Sequence, residues 1–175
     1  KILSNKSQKI LEKKKYDLGI KEIKKLKKIK NILDIGSASG SFLNICKKMG
    51  FNVEGIEPSK ESANYAKKRY NLNIHNSTFD KFKTNNKYDL ITCWASLEYS
   101  NTLRQDIKKI KKLLNKKGKL LIYVSGNSNS IIMRILRSDC LGFIFNRRNY
   151  FNPKSLDYLL SSSGFKLKKI LSDNN

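Results

Sequence analysis

The sequence predicts an α/β fold, a mostly parallel sheet with helices on both faces, preceded by an amphipathic helix. Three observations carry this expectation. The hydrophobic period switches repeatedly between two and 3.6 along the chain. Strand-length apolar runs alternate with helical stretches, which is the pattern of right-handed β-α-β units. The first apolar run ends in an acid and turns through small residues straight into a helix.

Taken in order, residues 7–30 set Ile10, Leu11, Leu18, Ile20, Ile23, Leu26 and Ile29 among lysines, closer to helical spacing than to strand alternation. A strand at 31–35, a helix at 41–49, a strand at 52–56 and a helix at 59–70 follow, then a short strand at 73–75. After a loop at 83–87 come a strand at 89–93, a helix at 103–114, a turn at 115–118 and a strand at 119–124. The pattern then breaks: 126–130 reads as a loop, and the apolar stretch after it as part of a lid insertion at about 126–150 over the mouth of the sheet. Asn152 is an expected N-cap with Pro153 as first helical residue; Gly164 stops that helix before a sixth strand at 165–171.

With 175 residues, 39% of them hydrophobic, the chain suits one domain with a real core. No apolar run is long enough to span a bilayer. Nothing resembles a signal peptide, and Lys1 in place of Met suggests a chain trimmed at one or both ends. Cys46, Cys93 and Cys140 are far apart and odd in number, which argues against a disulfide framework or a metal site and for a reduced, cytoplasmic protein. The formal charge of +23 alone would suggest a nucleic acid or an anionic membrane surface. Only six of the 37 basic residues are Arg, however, and the lysines run along helix faces, so the charge reads as solvated surface and nucleic acid ranks behind a small-molecule partner.

The chemistry concentrates at 32–43, read ILDIGSASGSFL. Gly36, Ala38 and Gly40 leave room for a ligand to approach the backbone, with Ser37 between them, and the first helical N–H groups face the same crevice. Twenty-one residues after Gly36, the second strand ends in Glu57, followed by Pro58; a carboxylate there can take both hydroxyls of a ribose. A dinucleotide fingerprint would need Gly at positions 38 and 41, where Ala38 and Ser41 stand.

The segment 33–43 resembles the first motif of the class I S-adenosylmethionine-dependent methyltransferases, commonly LDIGCGTGSFL. The likeness extends through GIEPS at 55–59, NSTFD at 76–80, YDLITCWASLE at 88–98, NYFNPKSL at 149–156 and SGF at 163–165. It implies a Rossmann-like fold and S-adenosyl-L-methionine as cofactor, with S-adenosyl-L-homocysteine as product. Asp34 would then orient the loop or the methionine amino group, Gly36 and Gly40 would pass the amino-acid end, and Glu57 would hold the ribose. Thr78 and Phe79 would flank adenine, and Trp94 would lie beside the cofactor. Glu98 and Tyr99, just after the fourth strand, are the candidate acid-base pair, with His75 a weaker third.

Three departures matter. Ala38 replaces the middle glycine, which is tolerated if that position needs no positive φ. Tyr99 stands where many relatives carry His. The chain ends soon after its expected sixth strand, whereas the family adds a seventh. The aromatic lid, with Phe143, Phe145, Tyr150 and Phe151, suggests a small or amphipathic acceptor such as a sugar, lipid precursor or quinone-like metabolite. Methylation of RNA or protein, and a cofactor-binding module without turnover, are the competing readings.

Overall fold

The computed structural model describes residues 5–125 and 146–171, with side chains from residue 13 onward. Helix α1 (Asn5–Lys24) leads into β1 (Asn31–Ile35), α2 (Ser41–Lys48), β2 (Asn52–Ile56), α3 (Lys60–Tyr70) and β3 (Asn73–His75). Then come β4 (Tyr88–Trp94), a 3-10 turn at Leu97–Tyr99, α4 (Leu103–Leu113), β5 (Leu114–Tyr123) and α5 (Pro153–Ser161). The strands form one sheet in the order β3-β2-β1-β4-β5, and every pairing is parallel. The chain moves outward from β1 to β2 and β3, then returns to the other side of β1 with β4, so a topological switch point opens between the carboxyl ends of β1 and β4. Open parallel sheets bind ligands at such a point.

The central strands are apolar on both faces because both are covered. In β1, Ile32 packs with Phe42, Leu43, Ala63 and Ala66 beneath α2 and α3. Leu33 and Ile35 point the other way, toward Ile107 and Ile110 of α4 and Leu159 and Leu160 of α5. Burying a Leu or Ile in this way contributes about 1.5–3 kcal/mol. Helix α1 shares the face of α2: Tyr16, Gly19 and Ile23 form its buried stripe. Gly19 is small for a reason, since a Cβ there would collide with the Trp94 indole.

Helix boundaries follow their capping chemistry. Ser59 caps α3 by accepting from the Ser62 amide, and Asn152 and Ser155 form a reciprocal capping box at the start of α5, with Pro153 as its first residue. The expected turn at 115–118 is absorbed into β5 as a register shift, Tyr88 pairing with Leu114 but Leu90 with Lys119. The expected sixth strand does not form: 165–171 is irregular and, after Phe165, exposed, because no neighbour pairs with it among the described residues. Most of the expected lid, 126–145, lies outside the described residues, as does Cys140; 146–150 forms no helix or strand. Among the described residues no helix is long and apolar enough to cross a membrane.

Candidate active site at the carboxyl edge of the sheet

Three loops meet at the switch point. The first, 36–40, leaves β1 with Gly36 at φ 76°, Ala38 at 47° and Gly40 at 77°. Gly36 comes so close to the loop after β4 that a Cβ would lie 2.6 Å from the Ser96 Cβ. Gly40 seats α2 against α3, where a Cβ would lie 2.8 Å from the Ala66 Cβ. Ala38 does not meet the condition set for its tolerance: the position takes a positive φ, and the methyl is strained there. An L-residue in this region costs about 1–2 kcal/mol, partly offset by the ~0.5–1 kcal/mol that Gly loses in conformational freedom. Ala38→Gly should therefore stabilise the protein by roughly 0.5–1 kcal/mol in urea denaturation, and an unchanged or lower midpoint would contradict the strain.

Glu57 ties the loops together. It is 8% exposed, and its two oxygens accept from different backbone amides: Oε2 from Ala38 at 2.8 Å and Oε1 from Ser59 at 2.8 Å. Each carboxylate oxygen can accept a second bond, so the group keeps capacity for two ligand hydroxyls. Behind it, the Asn76 side-chain amide donates to the carbonyls of Glu57 and Pro58, both at 3.0 Å.

Asp34 is 1% exposed and accepts from the Thr92 hydroxyl of β4 at 2.7 Å. Burial pushes its carboxyl up to about 7; the Thr92 hydrogen bond and the charge of Lys15 oppose the shift, and the charge of Glu57 adds to it.

The structure redistributes the other expected residues. Thr78 is exposed beside the site, but Phe79 is 8% exposed and belongs to the core facing α4. Trp94 is likewise a core residue, edge-on to Tyr16 at 5.1 Å and against Phe42 at 4.8 Å. Both are drawn inward because each sheet face needs an aromatic to fill the space beneath its helices. Lys109, which no local signal marks, holds the loop after β3: its ammonium donates to the Phe82 carbonyl at 2.6 Å and sits 4.6 Å from the Phe79 ring centroid.

Glu98 also differs from the acid-base group expected at an open mouth. It is 2% exposed, and Oε1 accepts from both the amide and the hydroxyl of Ser125 at 3.0 Å, with Arg147 at 3.5 Å. The Arg148 and Asn149 amides donate to its carbonyl. Burial raises its carboxyl, against the Arg147 charge and the Ser125 hydrogen bonds. Glu98 thus knots the loop after β4 to the end of β5 and to 147–149. Tyr99 is 45% exposed. His75 sits at the end of β3 with Nε2 3.3 Å from Glu54, away from the switch point.

Four buried polar atoms lack a hydrogen-bond partner here: Ser37 Oγ, Trp94 Nε1, Ser96 Oγ and Glu98 Oε2. All belong to the end of β4 or to the loops after β1 and β4. Buried groups are otherwise almost always paired, so these four atoms single out the end of β4 and the loops after β1 and β4.

Comparison with known proteins agrees with this geometry. An O-methyltransferase of ubiquinone biosynthesis from Rickettsia canadensis is 24% identical over 150 residues, 79% of this chain and 64% of the relative. A 23S rRNA (uracil-C5)-methyltransferase from Pyrococcus horikoshii is 30% identical over 139 residues, 76% of this chain and 29% of the relative. The chain therefore spans less than two thirds of the length of either. Among solved structures, an S-adenosylmethionine-dependent methyltransferase from Thermotoga maritima superposes with a TM-score of 0.72 at 19% identity, over 93% of this chain and 77% of that one. Another, from Clostridium acetobutylicum, gives 0.69 at 15% identity, over 86% and 79%. A family profile described as a methyltransferase domain matches residues 8–170, nearly the whole chain, and with the sheet order and the loop after β1 it establishes that the chain belongs to the methyltransferase domain family.

Proposed function

We propose that the chain transfers a methyl group from S-adenosylmethionine to a small-molecule acceptor, with the cofactor held across the carboxyl ends of β1, β2 and β4. The observation that carries this reading is the pairing of the 36–40 loop with Glu57, whose buried carboxylate is fixed by the Ala38 and Ser59 amides yet retains acceptor capacity for a ribose. The unpartnered Ser37 and Ser96 hydroxyls and the nearby carboxyl of Asp34 suit the polar, cationic amino-acid end. Pro58 and Thr78 border the adenine side, while Phe79 and Trp94 support the site from the core.

When bound, the cofactor supplies a methyl group on a sulfonium that departs as a neutral thioether, so in-line positioning provides much of the catalysis. The chain's own residues orient the reactants and exclude water. Glu98 acts as a positioning residue through the Ser125 and Arg147 knot, and Tyr99 is the member of the expected pair exposed enough to meet an acceptor. The ubiquinone-biosynthesis relative, together with a structural neighbour described as the plantazolicin methyltransferase, favours a small or amphipathic acceptor. RNA is the acceptor of the Pyrococcus relative, of whose length this chain spans only 29%.

Calorimetry tests the reading. S-adenosylhomocysteine should bind, and NAD should not bind comparably. Tight NAD binding without a response to S-adenosylhomocysteine would overturn it.

A further inference from the structure

The opposite edge of the sheet has a different character. In a parallel sheet every crossover helix runs back against the strands, so the helix C-termini collect at the strands' amino ends. Here α2 ends in Lys47 and Lys48, α3 in Lys67, Lys68 and Arg69, and α4 in Lys111 and Lys112. A basic last turn answers each helix's own dipole. That account does not extend to the lysines in loops at the same edge: Lys28 and Lys30 before β1, Lys87 before β4, and Lys116 and Lys117 in the irregular start of β5. Among the described residues, none of the lysines named at this edge forms an ion pair; those of Lys25 and Lys169 are with Glu22. Two carboxylates near this edge serve the fold. Asp89 accepts from the Lys30 and Asn31 amides and from Asn115, and Glu54 accepts from Tyr88 and Asn86.

A cleft of about 510 Å³ opens at this edge. Five carboxamides line it, those of Asn31, Asn52, Asn71, Asn73 and Asn86, together with the half-buried ring of Phe51 and the Glu54 carboxylate; Asn52 donates to Asn31 and Asn86 to Glu54, which leaves the amides of Asn71 and Asn73 and the remaining polar atoms of the others for a ligand. Lys47 and Lys87 belong to its wall, each with its ammonium on a helix-end carbonyl: Lys47 on Asn71 at 2.6 Å and Lys87 on Lys112 at 2.5 Å.

We propose that this amino edge is a docking surface for single-stranded RNA, separate from the methyl-transfer cleft. Lysines around the rim meet phosphates, while carboxamides and an aromatic ring inside a groove suit the edges and faces of unpaired bases. A membrane surface would call for a flat or convex apolar patch, and an acidic peptide would not use five carboxamides. RNA held here lies across the sheet from the switch point, so it tethers the protein rather than serving as methyl acceptor. The inference stands independently of the acceptor proposed above.

The test is fluorescence anisotropy of a short, labelled, mixed-sequence single-stranded RNA with the whole chain, over a salt series. Binding at about 0.15 M salt is expected, weakening with salt by about 0.7 log units per log unit for each phosphate engaged. A triple reversal at exposed lysines of this edge, Lys48→Glu, Lys68→Glu and Lys116→Glu, should cost about tenfold or more in affinity and flatten the slope by about 2. The same charge change elsewhere, Lys60→Glu, Lys154→Glu and Lys166→Glu, should cost less than about threefold. Both triples should keep S-adenosylhomocysteine binding, which reports separately on the methyltransferase reading. Hydrogen exchange should show RNA protecting 47–53, 71–73 and 86–87. The proposal is overturned by absence of binding, by equal losses in the two triples, or by protection confined to 95–99. Displacement of the RNA by polyglutamate or phosphatidylserine vesicles at matched charge would equally reject nucleic acid as the occupant.

Discussion

Replacing Glu57 with alanine is expected to weaken S-adenosylhomocysteine binding ten- to a hundredfold while leaving a folded protein. Hydrogen bonds from ligand hydroxyls to a fixed, buried carboxylate are worth about 1.5–3 kcal/mol, which sets that range. The structure adds a second effect that the sequence does not suggest. The same carboxylate accepts from the Ala38 and Ser59 amides, so its loss also loosens the loop after β1 and the start of α3. Both of those residues are exposed, and water can replace the lost acceptor, so the stability cost should stay near 1 kcal/mol and the melting temperature should fall by only a few degrees. Isothermal calorimetry on the folded variant, beside a thermal melt without ligand, separates the two effects. If the melting temperature falls and affinity holds within about twofold, Glu57 is a loop clamp and the ribose assignment goes.

The parts of this molecule that were legible in its sequence are those fixed by local pattern. Strands buried on both faces read as unbroken apolar runs, and the acid followed by glycines at 34–40 marks a strand-to-helix turn wherever it occurs. The same two-sided burial hides which face a given side chain takes: Trp94 and Phe79 sit at positions that suit a cleft, and only the packing of Tyr16, Phe42 and α4 shows that the core takes them. The stretch 165–171 after the helix stop at Gly164 reads as a strand, but a strand also needs a neighbour, and pairing is not a local property. Lys109 and Arg147 are anonymous among 37 basic residues, and their roles come from carbonyls and a carboxylate distant in sequence. The gathering of lysines at one edge needs the topology too, because residues as far apart in sequence as Lys47 and Lys116 come to the same edge only through the parallel crossovers.

Asp34 should make cofactor binding depend on pH near neutrality. Its folded pKa of about 7 lies above the ordinary value of 3.8, because burial penalises the charged form. Between about pH 4 and 7 the folded protein therefore holds a proton that the unfolded chain has lost. Stability attributable to this group falls as pH rises through that window, and the full penalty, a few kcal/mol, is present above it. A cationic ligand group beside Asp34 requires the carboxylate. Below pH 7, S-adenosylmethionine affinity should drop by up to tenfold per pH unit, with a proton released on binding, and above pH 7 it should level off. Asp34→Asn keeps an acceptor for the Thr92 hydroxyl but has no charge to bury or to offer. Without ligand, the variant should melt above the wild type at pH 8, and the advantage should shrink as pH falls toward 4. Its affinity should be lower at pH 8 and should lose most of its pH dependence, which separates Asp34 from the ligand's own amine as the titrating group. Calorimetry in two buffers of different ionisation enthalpy at pH 6.5 measures the released proton directly. Equal apparent enthalpies in the two buffers, or an unaltered pH profile in Asp34→Asn, would show that this carboxylate does not face the cation.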